Sequence, residues 1–511
     1  MAILKDIEPG KGGRRRFALH SPATLDKVGE LEVATAEEVT AAVGRARAAQ
    51  PAWAALSFKE RGRYLRRALD ILRRRREEFL EVVMGETGKV RMEALTMEIF
   101  ASLDFLNYWA KRAGKILAER KQRTHLFGPT KQLRIVYRPL GVVAIITPWN
   151  GPFVLSLNPT AQALMAGNAV VLKPSEITPY SGKLVGDLFA EAGLPQGLVE
   201  VVAGDGSTGA ALAEADVDKV SFTGSVATGR RVAEACARRL VPCTLELGGN
   251  DPLIVCHDAD LERAATGAVF GSLLNAGQVC CSAERVYVVD TVADEFTEKV
   301  AAKVRVLRQS PDGRADIGAI IRPEQLAIIE RHVADALSKG AEILVGGRRN
   351  PDLEGLFFEP TVMTGLTPEM SMMREETFGP IIAIVRVKDE EEALRLANDS
   401  DYGLNSSVWT ENTRRGLDLA RRIEAGSTCI NDCAVTYGVT EAPFGGVKNS
   451  GLGQMNGASG LRGYCHALPI VRDRLAAAGA AGSYPYDEKK EKGLLRVIKV
   501  LWGTPLGRWM A

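Results

Sequence analysis

From residue 141 the chain alternates short runs of β-branched and aliphatic residues with longer segments of helical spacing. The runs are GVVAII (141–146), NAVVLK (168–173), LVEVV (198–202), KVSF (219–222) and PCTLEL (242–247), separated by segments such as 178–192 and 228–239. Each run is too short for a helix, whereas the intervening segments are long enough for one. The pattern predicts a parallel sheet with crossover helices. A second series follows in DPLIVC (251–256), RVYVV (285–289), PIIAIV (380–385), SSVWT (406–410) and STCIN (427–431). It predicts a second α/β domain.

Three stretches read differently. Leu65, Leu69, Leu72, Phe79 and Val83 recur at helical spacing, which makes the arginines from Arg73 to Arg76 a solvated face. In 125–138, Leu133, Ile135 and Tyr137 alternate with polar residues, as in a strand exposed on one face, and predict a hairpin outside the two domains. After Ala480, Leu494, Leu495, Ile498, Leu501 and Trp502 share one helical face, with Lys490, Lys492, Arg496 and Lys499 largely elsewhere. That tail reads as an amphipathic helix docking on a partner subunit or at the site entrance, in preference to weak contact with a membrane surface. No internal repeat is visible.

At 511 residues the chain exceeds the size of a single core, so more than one packed domain is expected. A net charge of +2, from 65 basic and 63 acidic residues, gives no global field for nucleic acid or an anionic surface. No apolar run reaches membrane-spanning length, and the N-terminal segment lacks the apolar core of a signal peptide. The eight cysteines contain no CxxC pair, which fits reduced thiols in the cytoplasm and suggests no metal site.

Reactive chemistry concentrates where strands are expected to end. NAGQVCCSAER (275–285) sets Cys280 and Cys281 at the join of a helical stretch and a strand, where a thiol can be partly accessible and acidified. Alone, such thiols read more readily as small buried hydrophobes than as reactive groups. TPWN (147–150) ends the first strand of the wound sheet, and LELGGN (245–250) ends the fifth with a carboxylate beside two glycines. Ligands sit at such strand ends. An amide donor, a carboxylate and a thiol are the groups that thioester chemistry on an aldehyde requires.

TPWN, KPSE (173–176), FTGS (222–225), ELGG (246–249), GQVCCS (277–282), EETFGP (375–380) and PFGGVKNSGLG (443–453), in this order, resemble the motif series of the aldehyde dehydrogenase superfamily. The resemblance runs from about Asp26 to about Tyr464. It implies an α/β fold with three parts: a doubly wound parallel-sheet cofactor domain (1–120 and 140–247), a second α/β catalytic domain (248–445) and a small β oligomerisation hairpin (121–139 and 446–480), with the tail at 481–511. A homodimer or homotetramer is implied as well.

Residue by residue, the resemblance makes Cys280 the nucleophile, with the Asn150 amide and the Cys280 N–H holding the oxyanion. Glu246, 34 positions earlier, becomes the base that activates water (280 − 246 = 34). Family members that pass the acyl group to coenzyme A typically lack a glutamate there, so a free acid is the implied product. The chain lacks GxGxxG, and GSVATG (224–229) stands after KVSF instead. Gly224, Ser225 and Gly229 then belong to a turn where backbone approaches a pyrophosphate.

Lys173, Ser175 and Glu176 take the positions around the adenosine ribose. A carboxylate there accepts from a 2′-hydroxyl and repels a 2′-phosphate, so NAD is expected over NADP. Trp149, Leu247, Glu376 and Phe378 complete the implied cofactor set. Phe153, Leu155, Leu157, Trp109 and Tyr437 are candidates for the aldehyde entrance. LSLNPT (155–160) lacks the basic residue that members specific for succinic semialdehyde often carry, which points to an uncharged, apolar aldehyde.

Overall fold

All five runs between 141 and 247 form strands of one sheet in the computed structural model, which describes residues 3–8, 13–125, 130–474 and 484–505. The spatial order is Gly451–Leu452, Cys243–Glu246, Lys219–Thr223, Val142–Ile146, Ala169–Lys173, Val199–Val201. The last five pair in parallel. Every residue of Val142–Ile146 and Ala169–Lys173 is buried, because helices cover both faces of a parallel sheet. That is why these strands read as continuous apolar runs rather than alternating ones.

Helices connect them with local signals of their own. Val226–Arg239 starts at Ser225, whose hydroxyl accepts from the Thr228 N–H. Pro179–Glu191 has no side-chain cap from its own first residue; Glu86, at the end of the helix Phe58–Thr87, accepts from the N–H groups of Tyr180 and Ser181 instead. Arg73, Arg74 and Arg76 on that long helix are exposed, and Arg75 pairs with Glu78 and Glu191.

The second sheet has seven strands in the order Glu342–Val345, Thr361–Thr364, Ile381–Val387, Ala283–Val289, Asp251–Val255, Ser407–Trp409, Cys429–Ile430. The expected five are parallel neighbours in it. Glu342–Val345 and Thr361–Thr364 extend one edge and were not foreseen. Equally unforeseen is an antiparallel sheet of Leu4–Ile7, Arg16–His20 and Lys27–Glu32 at the start of the chain.

By their contacts, Met1–Ile116 and Pro139–Tyr464 form one unit, and Leu117–Arg138 and Cys465–Ala511 another. This corrects the expected boundary at 446. Gly451–Leu452 pairs antiparallel with Cys243–Glu246, Leu452 opposite Leu245, so residues 446–464 return to the first unit. In the second unit a sheet runs Cys465–Asp473, Lys131–Pro139, Arg120–Gln122. Leu133, Ile135 and Tyr137 are half-buried like most of their neighbours, so the strand lacks the fully exposed face its alternation suggested. Residues 126–129 and 475–480 of the expected oligomerisation segments, and 481–483 and 506–511 of the tail, lie outside the described residues.

The tail forms the helix Glu488–Gly503, capped by Asp487, and none of its residues is buried. Leu494, Leu495 and Ile498 stand exposed along it. Among the described residues, no helix is long and apolar enough to cross a membrane.

Candidate active site

Four turns leave the carboxyl ends of the first sheet's strands side by side: 147–150, 173–176, 223–225 and 246–248. They line two hollows, of about 150 and 530 Å³. The two share Pro148, Trp149, Thr223, Gly224, Ser225 and Arg322, and so adjoin. Of the thirteen residues expected to be catalytic or to hold the cofactor, all but Gly229 line one or both. Asn150, Glu246, Leu247, Cys280, Glu376 and Phe378 face the smaller; Lys173, Ser175 and Glu176 face the larger.

The thiols enter from the second sheet. Helix Leu261–Leu273 ends, and Asn275, Ala276 and Gly277 take left-handed backbone angles (φ of 56°, 55° and 74°) before strand Ala283–Val289 begins. Gly277 has no alternative: a Cβ there would lie 2.0 Å from the Gly379 carbonyl oxygen. The two cysteines it presents differ sharply. Cys280 is half-buried and lines the small hollow. Cys281 is 3% exposed, packed with Leu404 and Phe444, and its pKa is held well above the usual thiol range by its contact with Cys280 and by burial.

Around Cys280 stand an amide and a carboxylate. The Asn150 side-chain N–H donates to the Gln278 carbonyl at 3.0 Å, which places that amide against the thiol loop. Glu246 is 5% exposed, and both its carboxylate oxygens are buried without a hydrogen-bond partner. Burial, and then the nearby Cys280, hold its pKa well above the ordinary carboxylate range. A carboxyl of this kind sits protonated or nearly so at low pH and is a strong base once it ionises.

The larger hollow has the features of a dinucleotide site. The amino end of helix Val226–Arg239 opens on it at Ser225, offering N–H groups and the positive end of the helix dipole. Lys173 and Glu176 pair at 3.2 Å on its wall. Trp149 and Phe378 meet edge to face at 5.5 Å where the hollows join, and the Glu376 carboxyl, accepting from the Gly249 N–H at 2.9 Å, is pushed up to about 7 by burial. An anion cradle, a carboxylate–ammonium pair and an edge-to-face aromatic pair together fit a nicotinamide dinucleotide.

Several expectations are refined. Gly229 lies inside the helix, and a Cβ there would sit 2.5 Å from the Leu247 side chain, so its bare α-carbon lets the helix pack against Leu247. Phe153 and Leu157 are fully buried, Phe153 packing edge-on against Phe79 at 5.3 Å; both belong to the core and not to an entrance. Trp109 is also fully buried, donating its indole N–H to Asn158 at 2.9 Å. Leu155 does line the thiol hollow, and Tyr437 packs beside Cys280 and Phe444.

Sequence reasoning missed Arg322, which stacks over Trp149 at 5.9 Å, and Gln325, which donates to the Thr377 carbonyl at 2.7 Å. It also missed Glu284, whose two carboxylate oxygens accept from the Thr377 and Phe378 N–H groups at 2.7 Å each. The charged pair Glu284 and Arg285 near the start of strand Ala283–Val289 was the available signal, since a buried charge must be answered by partners.

A model of the aldehyde dehydrogenase family matches residues 9–468. A Mycolicibacterium smegmatis protein named "Putative succinate-semialdehyde dehydrogenase, NADP(+)" is 42% identical over 449 residues, 87% of this chain and 86% of its own. A Methylomonas protein named 4,4'-diapolycopene aldehyde oxidase is 39% identical over 489 residues, 95% and 91% of the two chains. Among solved structures, a Mycobacterium tuberculosis aldehyde dehydrogenase complexed with NAD+ superposes with a TM-score of 0.86 at 36% identity, over 91% of this chain and 95% of that one.

Proposed function

The chain belongs to the aldehyde dehydrogenase family and is an enzyme of that class; on that premise we propose that it oxidises an aldehyde to the free acid, with Cys280 as nucleophile, Asn150 as oxyanion donor and Glu246 as general base. The Cys280 thiolate attacks the aldehyde carbon, and the carbonyl electron pair moves onto oxygen. Asn150 turns its N–H from the Gln278 carbonyl toward that oxyanion, a donor already aimed at the thiol loop. A bound nicotinamide dinucleotide supplies the acceptor for the hydride that leaves as the carbonyl re-forms. Glu246 then takes a proton from water, the hydroxide adds to the thioester carbon, and the C–S bond breaks to return the Cys280 thiolate.

One observation carries this reading: an unpartnered, buried Glu246 carboxylate in the same 150 Å³ hollow as the half-buried Cys280. A buried carboxylate this poor in donors is expensive to keep in a fold. It also favours water over coenzyme A as the acyl acceptor.

We propose NAD as the preferred cofactor. The Glu176 carboxylate on the wall of the larger hollow favours a ribose 2′-hydroxyl over a 2′-phosphate. The relatives divide on this point, one named for NADP(+) and one solved with NAD+. For the substrate we propose an uncharged, apolar aldehyde. Asn158, in the stretch lacking a basic residue, is occupied with Tyr437 and Asn456 at 3.1 and 2.8 Å, and Leu155, Tyr437 and Phe444 are the apolar groups beside the thiol. The Methylomonas relative's name is consistent with such a substrate.

A cytoplasmic homodimer or homotetramer is the assembly we propose, with the exposed face of Glu488–Gly503 covered by protein rather than lipid. One assay tests the functional reading: formation of NADH and NADPH with hexanal, benzaldehyde and succinic semialdehyde, with and without coenzyme A. NADH from the uncharged aldehydes, independent of coenzyme A, is the expected result. A strict coenzyme A requirement would remove Glu246 from its role, and higher kcat/KM with NADP or with succinic semialdehyde would overturn the cofactor or substrate assignment.

A further inference from the structure

Behind the Asn150 turn lies a buried ion pair that the proposed chemistry does not use. Lys89 and Glu98 both have fully buried side chains, with Nζ to Oε1 at 2.7 Å. Lys89 also donates to the Asn150 carbonyl oxygen at 2.8 Å. The other oxygen of Glu98 accepts from the Val154 N–H at 2.9 Å. Val154 is the first residue of helix Val154–Ala166, four positions beyond Asn150. The pair therefore grips the turn that carries the Asn150 amide at both ends.

The local sequence is bent to deliver these groups. Gly88 ends the long helix in a left-handed conformation (φ 62°), and Lys89 follows it directly. Glu98 sits within Ala94–Phe100, a π-helical segment joined to Ala101–Ile116. Such wide turns are rare and recur at functional sites. A third contact, from the Asn275 side chain to the Asn150 and Gln278 carbonyls at 3.1 Å each, ties the same turn to the thiol loop.

Stability is a poor explanation for the pair. Desolvating an ammonium and a carboxylate offsets most of their attraction, and apolar residues of similar volume would pack as well. Geometry is the better one. An oxyanion donor acts only within a few tenths of an ångström of its place, and a shift of about 1 Å costs on the order of 100-fold in rate. We infer that Lys89 and Glu98 are positioning residues whose ion pair fixes the Asn150 turn so that its amide meets the oxyanion. This rests on the reading of Asn150 as oxyanion donor.

The test compares two reactions of the same sulfur in the full-length enzyme. Aldehyde oxidation develops an oxyanion; alkylation of Cys280 by iodoacetamide does not. In Lys89→Met/Glu98→Gln, which removes both partners of the pair together, kcat for oxidation should fall about 10- to 100-fold. Alkylation rate and NAD affinity should stay within about threefold. Asn150→Ala should show the same selective loss, and adding the double substitution to it should cost little more, as expected of groups acting through one another.

Parallel losses of oxidation and alkylation, or oxidation unchanged in Lys89→Met/Glu98→Gln while Asn150→Ala is impaired, would overturn the inference and leave the oxyanion reading standing. Unchanged oxidation in Asn150→Ala would remove the reading and the inference with it. If the double variant does not fold, Glu98→Asp, which keeps the charge and withdraws the carboxylate by one methylene, reads out the same ratio of rates. A selective loss supports positioning, and a ratio equal to wild type overturns it.

Discussion

Cys280 and Cys281 share a sequence position to within one residue and have opposite surroundings. The first lines a hollow beside Glu246; the second is packed under Phe444 and Leu404 with its pKa driven up. Chemistry follows those surroundings, because the thiolate is the nucleophile and an inaccessible, protonated thiol is inert. Cys280→Ala should therefore abolish NADH formation while NAD still quenches tryptophan fluorescence, and Cys281→Ala should keep at least about a tenth of wild-type kcat. Steady-state rates of the two variants decide between the sulfurs; the reverse pattern would exchange their roles. From the residues alone, Cys280 and Cys281 both read more readily as buried hydrophobes than as reactive thiols. Only the motif order around GQVCCS favoured the first, since burial is a property of Leu404 and Phe444, more than 120 positions away.

The elements that meet at the site were legible to different degrees. Strands 142–146 and 169–173 announce themselves as buried, largely apolar runs, and the turns after them could be named as ligand-bearing. The edge strand Glu342–Val345 is only four residues long, and its burial alternates between exposed and half-buried although three of its residues are apolar. The π-helical Ala94–Phe100 is hidden, since no periodicity distinguishes it from the α-helix it joins. Contacts between loops are the least legible of all. Gly277 is required by the Gly379 carbonyl, roughly a hundred residues on, and by its own positive φ. Gly277→Ala should cost at least about 1–3 kcal/mol, read as a lower urea midpoint. It should also raise KM for NAD, because the displaced chain is the one that carries Glu376 and Phe378; wild-type values for both would show that the two loops move independently.

At the scale of the whole molecule, the buried carboxyls set a pH dependence. Burial pushes Glu86, Glu93 and Glu376 up to about 7, and Glu284 up to about 8, in each case as the leading cause. A raised folded-state pKa means that the folded chain holds protons the unfolded chain has released, so stability contributed by these groups is full below about 4.5 and is lost as pH rises through 7 to 8. Lys219, lowered to about 8 by burial, acts in the opposite sense only above that value. The apparent Tm should therefore fall by several degrees between pH 5.5 and 8 in the absence of cofactor, and a Tm that rises over that interval would contradict the protonation states inferred here.

The central claim is that acyl transfer passes through Cys280 and that Glu246 releases the product. Glu246→Gln separates those steps, since it leaves the thiol, the oxyanion donor and the cofactor site in place. Mass spectrometry of the peptide spanning 275–285, from that variant quenched after mixing with NAD and hexanal, reads the outcome directly. A hexanoyl adduct on Cys280, accompanied by about one equivalent of NADH per site, is the predicted result. Stoichiometric NADH without an acyl group on Cys280, or with the acyl group on another residue, would contradict the account.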